Sequence, residues 1–210
     1  MEKEVKDLGG PVLVKRGDVI PSGAVPMSDN EVLEFQLNRV KHFQPQSQMV
    51  PYNYCNYIIG TAVALSSLVI ISTMRRNFQL GGLSKGLTYG PSVLLPSAMA
   101  GAWHEFGIKN KILLGREPCS VCVTLRSAAY TALLGVGYPL IVSFLACIPV
   151  ARKNYTLPLA SSAEGFGYVK LVKHVIPKSS VLLQLILGNF IVGSWFAHRE
   201  LKLFHRHFST

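Results

Sequence analysis

Cys119-Ser120-Val121-Cys122 is the compact reactive motif of this sequence. Two cysteines at that spacing can close a disulfide, exchange thiols with a partner, or supply half of a zinc site. A structural zinc site needs four ligands. The sequence has no second pair, and His104 is the one histidine nearby in the same loop, so no metal and no cofactor are expected. A disulfide, a redox pair and two unpaired thiols all stay open. Arg126, seven residues after Cys119, would lower a thiol pKa if the chain folded back onto the pair. Cys55 and Cys147 lie inside apolar runs and read as small core residues.

The histidines carry less chemistry. His198 and His205 are seven apart and share a helical face that His207 does not join. With Lys202 and Arg206 interleaved, residues 201–210 read as a basic, membrane-facing tail rather than a metal site. His104-Glu105 closes an apolar run, where such a pair is either a proton site or, more ordinarily, a solvated helix end. There is no Gly-rich phosphate loop, no serine nucleophile elbow, no HExxH and no paired intramembrane carboxylate, so no catalytic residue is expected. The basic residues are scattered over every loop instead of forming a stripe, which argues against a nucleic-acid partner.

The elements that must position these residues are set by hydropathy. Of 210 residues, 49% are hydrophobic and only 15% charged, against about 25% charged in soluble domains. The mean hydropathy is +0.31. Disorder is excluded by the same apolar content. Four charge-free runs of 18 to 25 residues, 54–73, 86–103, 127–151 and 179–197, are each long enough to cross the hydrocarbon core as a helix. Arg75 and Arg76 follow the first as a stop signal. Gly90, Pro91 and Pro96 interrupt the second. Tyr52, Tyr54 and Tyr57 open the first run, and Trp103 and Trp195 sit near the ends of the second and fourth, as interfacial anchors do. The expected fold is an all-α membrane protein, a bundle of four transmembrane helices over 51–200. Small residues four apart, Gly60 and Ala64, Ser97 and Gly101, Ala128 and Ala132, are the expected sites of close helix approach.

Two short amphipathic helices are expected before the first and fourth spans. Residues 1–50 hold seven of the eleven acidic residues and form a separate N-terminal segment. Within it, Ser28 and Glu31 make a capping box for a helix over 29–41, with Met27 and Val32 as its staple and Val32, Leu33, Phe35, Leu37 and Val40 as its apolar stripe. Residues 1–27, with Gly9-Gly10-Pro11, Pro21 and Pro26, read as loose. Later, Phe166, Val169, Val172 and Ile176 fall on one face and Lys170, Lys173 and His174 on the other, as in a helix that lies in a membrane interface.

No secretory signal is apparent, and early Glu2, Glu4 and Asp7 do not suit a mitochondrial presequence, so organelle import would use the spans themselves. With four spans the two sides carry 13 and 8 basic residues, or 9 and 8 near the membrane, too even to set an orientation. Asn154-Tyr155-Thr156 is a glycosylation sequon that matters only in the secretory pathway, where a four-span scaffold would be the reading.

The order Cys119-x-x-Cys122-x-x-x-Arg126-Ser127, then Gly135-x-Gly137-Tyr138-Pro139, then Ala151-Arg152-x-x-Tyr155 resembles the transmembrane protein 126 family. The stretch from Gly60 to Arg75-Arg76, the proline-broken second span and the helix–Pro–span order over 166–197 are similar to it as well. The likeness covers about 54–197. It implies a multi-pass protein of the mitochondrial inner membrane and a non-enzymatic assembly factor for respiratory complex I. Its partners would be nascent membrane-arm subunits, other assembly factors and anionic inner-membrane lipid. From the residues alone, the other reading is a membrane thiol–disulfide oxidoreductase working through Cys119 and Cys122.

Overall fold

The computed structural model describes residues 27–44, 49–115, 119–156, 172–173 and 175–207. The expectations for residues 1–26, for Phe166, Val169, Lys170 and His174, and for the end of the basic tail lie outside the described residues. Among the described residues the regular elements are helices: α1 (Asp29–His42), α2 (Val50–Asn77), α3 (85–113), α4 (Ser120–Lys153) and α5 (Ser179–His207).

Helices α2, α4 and α5 are long and apolar enough to cross a membrane. Their outward faces carry Leu65, Leu68, Leu133, Ile141, Leu145, Leu183, Leu187 and Ile191, all exposed. A soluble bundle would put polar residues there. All three run beyond the charge-free stretches; α2, with 28 residues, is about 42 Å long against a hydrocarbon core of roughly 30 Å. Helix α3, which contains the run read at 86–103, is unbroken but less apolar and does not reach the same standard. It packs along α2.

Prolines shape two helices without ending them. A proline ring clashes with the carbonyl four residues back and brings no N–H of its own. Helix α3 widens into a π-helical turn at Gly90–Leu94 before Pro96, and α4 does so at Leu133–Gly137 before Pro139. The wider turn absorbs both problems and keeps the helix continuous. A third wide turn, His104–Lys109 in α3, has no such proline.

Lipid offers no partner to a stray polar group. Along α2, Ser66, Ser67 and Thr73 hydroxyls donate to the carbonyls of Ala62, Val63 and Val69 at 2.7–2.8 Å. Asn189 of α5 turns inward and donates to Ser66 Oγ at 2.7 Å and to Leu185 O at 2.8 Å. Arg75, read as a stop signal facing water, is instead 4% exposed. Its guanidinium donates to Thr88 Oγ1, to Gly81 O at 3.0 Å and to Leu83 O at 2.8 Å, which closes the α2–α3 turn. The turn's carbonyls have no helical partner, so the fork of donors is held inside while Arg76 faces out.

The helices cross where small residues allow it. A Cβ on Gly60 would meet Ser97 O at 3.3 Å, and one on Gly101 would meet Asn56 O at 3.3 Å, so the expected α2–α3 approach is where the small residues are. Gly193 of α5 lies against the Ser127–Thr131 turn of α4, and a Cβ there would come within 2.6 Å of Thr131 Oγ1 and 2.9 Å of Ser127 O. The α4–α5 pair has the most extensive packing in the fold.

Helix α1 begins with the expected capping box. Ser28 N donates to Glu31 Oε2 at 2.6 Å, and Glu31 N donates to Ser28 Oγ at 3.4 Å. Its inward stripe is Leu33, Gln36, Leu37 and Val40, packed with Met49, Tyr52, Leu113, Leu203 and Phe204 over one end of the bundle. Phe35 is off that stripe and exposed, and Met27 is exposed as well. A helix turns 100° per residue, which carries position 35 away from 33 and 37 and brings 36 in.

Two outcomes follow from this packing. Gly193→Ala should lower stability in detergent by about 1–3 kcal/mol, since its methyl meets backbone; Gly188→Ala, with nothing within 4 Å of its Cβ, should leave thermal unfolding unchanged or slightly raised. The hydrogen bond from Ser28 N, then that from its hydroxyl, holds the exposed Glu31 carboxyl below the ordinary value of 4.5. A depressed carboxyl stabilises the capped form above its unfolded pKa and loses that contribution as pH falls through the folded one. The carboxyl ¹³C titration of Glu31 should therefore midpoint below that of an unstructured glutamate, and Ser28→Ala should move it part of the way back.

Candidate functional site

The end of the bundle beneath α1 gathers the polar side chains of four helices. His104, Glu105 and Lys109 lie in the wide turn at His104–Lys109. His104 is 2% exposed, and its Nε2 lies 3.1 Å from Glu200 Oε2 on α5. Glu200 is fully buried, and its Oε1 has no hydrogen-bond partner among the described residues. Cys55 of α2, also fully buried, completes a group whose ligating atoms lie within 4.8 Å of one another.

The surroundings orient this group. Tyr52 Oη donates to Glu200 O at 2.8 Å. Ser127 of α4 donates its hydroxyl to Gly193 O at 2.9 Å and faces His104 Nδ1 at 3.5 Å. Cys55 Sγ donates to Asn56 Oδ1 at 3.3 Å, Asn56 Nδ2 donates to Glu105, and Lys109 Nζ donates to both Glu105 oxygens at 3.1 Å. Sulfur, imidazole and carboxylate therefore face one another in a buried setting, with a charge pair beside them. Such a set can hold a proton or a metal cation.

Cys119 and Cys122 sit at the same end. Cys119 is the N-cap of α4 and accepts from Cys122 N at 3.3 Å. The two are joined as a disulfide with Cα atoms 5.3 Å apart. Arg126 is half-buried one turn on.

A comparison with known families decides the kinship. The family model described as Transmembrane protein 126 matches residues 30–209. The chain belongs to that family. It is 28% identical over 184 residues to a Drosophila melanogaster protein named Transmembrane protein 126, covering 84% of this chain and 82% of that protein. No solved structure matches.

The Transmembrane protein 126 motif positions have separate structural places. Ser127 touches His104, Gly135 lies against the Asn189 side chain, and Tyr138 packs on the Cys55–Ile59–Ala100–Phe196 core. Gly137 lies at the end of the wide turn and Pro139 is buried just past it. Arg152 and Tyr155 are exposed at the far end of α4, where Tyr155 takes a left-handed φ of 53°. Lys173 is exposed, while Lys170 and His174 lie outside the described residues. Two sequence readings change. Tyr52 is fully buried instead of anchoring at the interface, and His104, read more ordinarily as part of a solvated helix end, is buried in mid-helix. Cys55 is the buried core residue that was expected, with His104 and Glu200 as neighbours. His198 and His205 are exposed, as the basic-tail reading expects, while Glu200 between them points in. Its signal in the sequence was its isolation, the sole acid after Glu164, on one face with Phe196, Ala197, Leu201 and Phe204.

The cysteine assignment has a direct measurement. Alkylation of the unfolded, unreduced protein should label two thiols, Cys55 and Cys147, and all four cysteines after reduction.

Proposed function

We propose that this protein is a non-enzymatic assembly factor of the mitochondrial inner membrane that holds nascent membrane-arm subunits of respiratory complex I. In this reading α3 is the fourth span. It is a continuous helix over 85–113 that packs along α2, and its wide turns let the proline-broken segment stay helical at membrane depth. Both termini then lie on one side.

The observation that carries the proposal is the distribution of polar and apolar surface. The described bundle turns Asn189, His104 and Glu200 inward and leaves long outward faces of leucine, isoleucine and phenylalanine. Those faces suit lateral packing against unfinished membrane subunits, and among the described residues no pathway of charged groups runs the length of the bundle as an ion-coupled transporter would have. Family membership supports the same reading. The other assembly factors and anionic lipid would meet the protein at its basic ends, including Arg76, Lys153 and Lys173.

Native-gel profiles of complex I from mitochondria without the protein, then resupplied, test this. Membrane-arm intermediates should stall in its absence, and both the wild type and Cys119→Ser/Cys122→Ser should restore them. Rescue by the wild type alone would put thiol–disulfide chemistry in the mechanism, and an unchanged profile would overturn the proposal.

A further inference from the structure

The cluster of Cys55, His104 and Glu200 is incomplete as a hydrogen-bonded group. Ser127 spends its proton on Gly193 O, so what it offers His104 Nδ1 is a lone pair. That favours the ring proton on Nδ1 and leaves the Nε2 lone pair directed at Glu200 Oε2, 3.1 Å away. In that tautomer two lone pairs face each other, and a proton or a metal cation between them satisfies both. A proton would answer that one contact. It would leave Glu200 Oε1, in a fully buried side chain, without a hydrogen-bond partner among the described residues.

A divalent metal engages all three side chains at once. Thiolate, imidazole and carboxylate are the donor types zinc takes, at roughly 2.0–2.3 Å, which sets neighbouring ligands about 3.3–3.8 Å apart in a tetrahedron. The three ligating atoms already lie within 4.8 Å of one another. Binding releases the thiol proton to solvent, and the zinc–sulfur bond forms in its place. The charges then balance: two positive on zinc, one negative each on Cys55 and Glu200, none on His104. A neutral assembly is what a site among Ile59, Ala100, Leu134 and Phe196 can tolerate. The carboxylate disfavours copper(I), and the thiolate disfavours magnesium or calcium.

We propose that Cys55, His104 and Glu200 form a zinc site that ties α2, α3 and α5 together at the α1 end of the bundle, with water or an exogenous group as fourth ligand. The proposal is independent of the assembly-factor reading.

The test uses the full-length protein in detergent, exposed to Zn²⁺ alone and desalted. Elemental analysis should find about one zinc per chain. Cys55→Ala, His104→Ala and Glu200→Gln should each fall below about a tenth of that, while Cys147→Ala and Cys119→Ser/Cys122→Ser should keep it. Should the ligand variants fail to fold, the wild type still decides. Its zinc-edge X-ray absorption should show a single sulfur among nitrogen and oxygen neighbours, and Co²⁺ in its place should give a thiolate-to-cobalt charge-transfer band. Absence of stoichiometric zinc, a shell with no sulfur or with two, or full zinc retention in Cys55→Ala would overturn the proposal.

Discussion

A helix surrounded by hydrocarbon has no water to satisfy a donor or acceptor, and every other feature of this fold works within that constraint. Serine and threonine hydroxyls on α2 bend back to their own helix. Asn189 reaches across to Ser66, and Arg75 gathers the carbonyls of the turn that follows its helix. The outward faces are left to leucine, isoleucine and valine, which ask nothing of the lipid. Asn189 and Arg75 therefore act as ties, the first between α5 and α2 and the second across the α2–α3 turn.

Close approach is the second requirement, because apolar faces gain little by leaving lipid for one another. Glycine supplies it where two backbones touch. Gly60 and Gly101 serve α2 and α3, and Gly193 serves α4 and α5. At Gly135 the same device makes room for the Asn189 amide. The wide turns before Pro96 and Pro139 belong with these: each keeps a helix continuous where a proline would otherwise strand a carbonyl.

The bundle's two ends use the inward polar groups differently. At one end Arg75 closes a turn by hydrogen bonds, with the Tyr89 ring 5.4 Å from its guanidinium carbon. At the other, α1 covers a buried cluster to which α2, α3 and α5 each contribute one side chain of a type that binds protons or metals. The third wide turn, the one without a proline, lies there and begins at His104. The disulfide at the head of α4 adds a further constraint to the same end.

Local features of the sequence determined the long apolar helices, the capping box at Ser28 and Glu31, the small-residue crossings and the family motif around residues 119–155. Each depends on residues within a few turns of one another, so hydropathy and spacing suffice. Only the tertiary structure decided which way a charge-free helix faces. Such a helix has no polar stripe to mark its inner side, and its rotation is settled by partners far along the chain. That is why Arg75 could read as a water-facing stop signal and Tyr52 as an interfacial anchor. It is also why Glu200, just before the basic tail, did not reveal the cysteine and histidine it meets from positions 55 and 104.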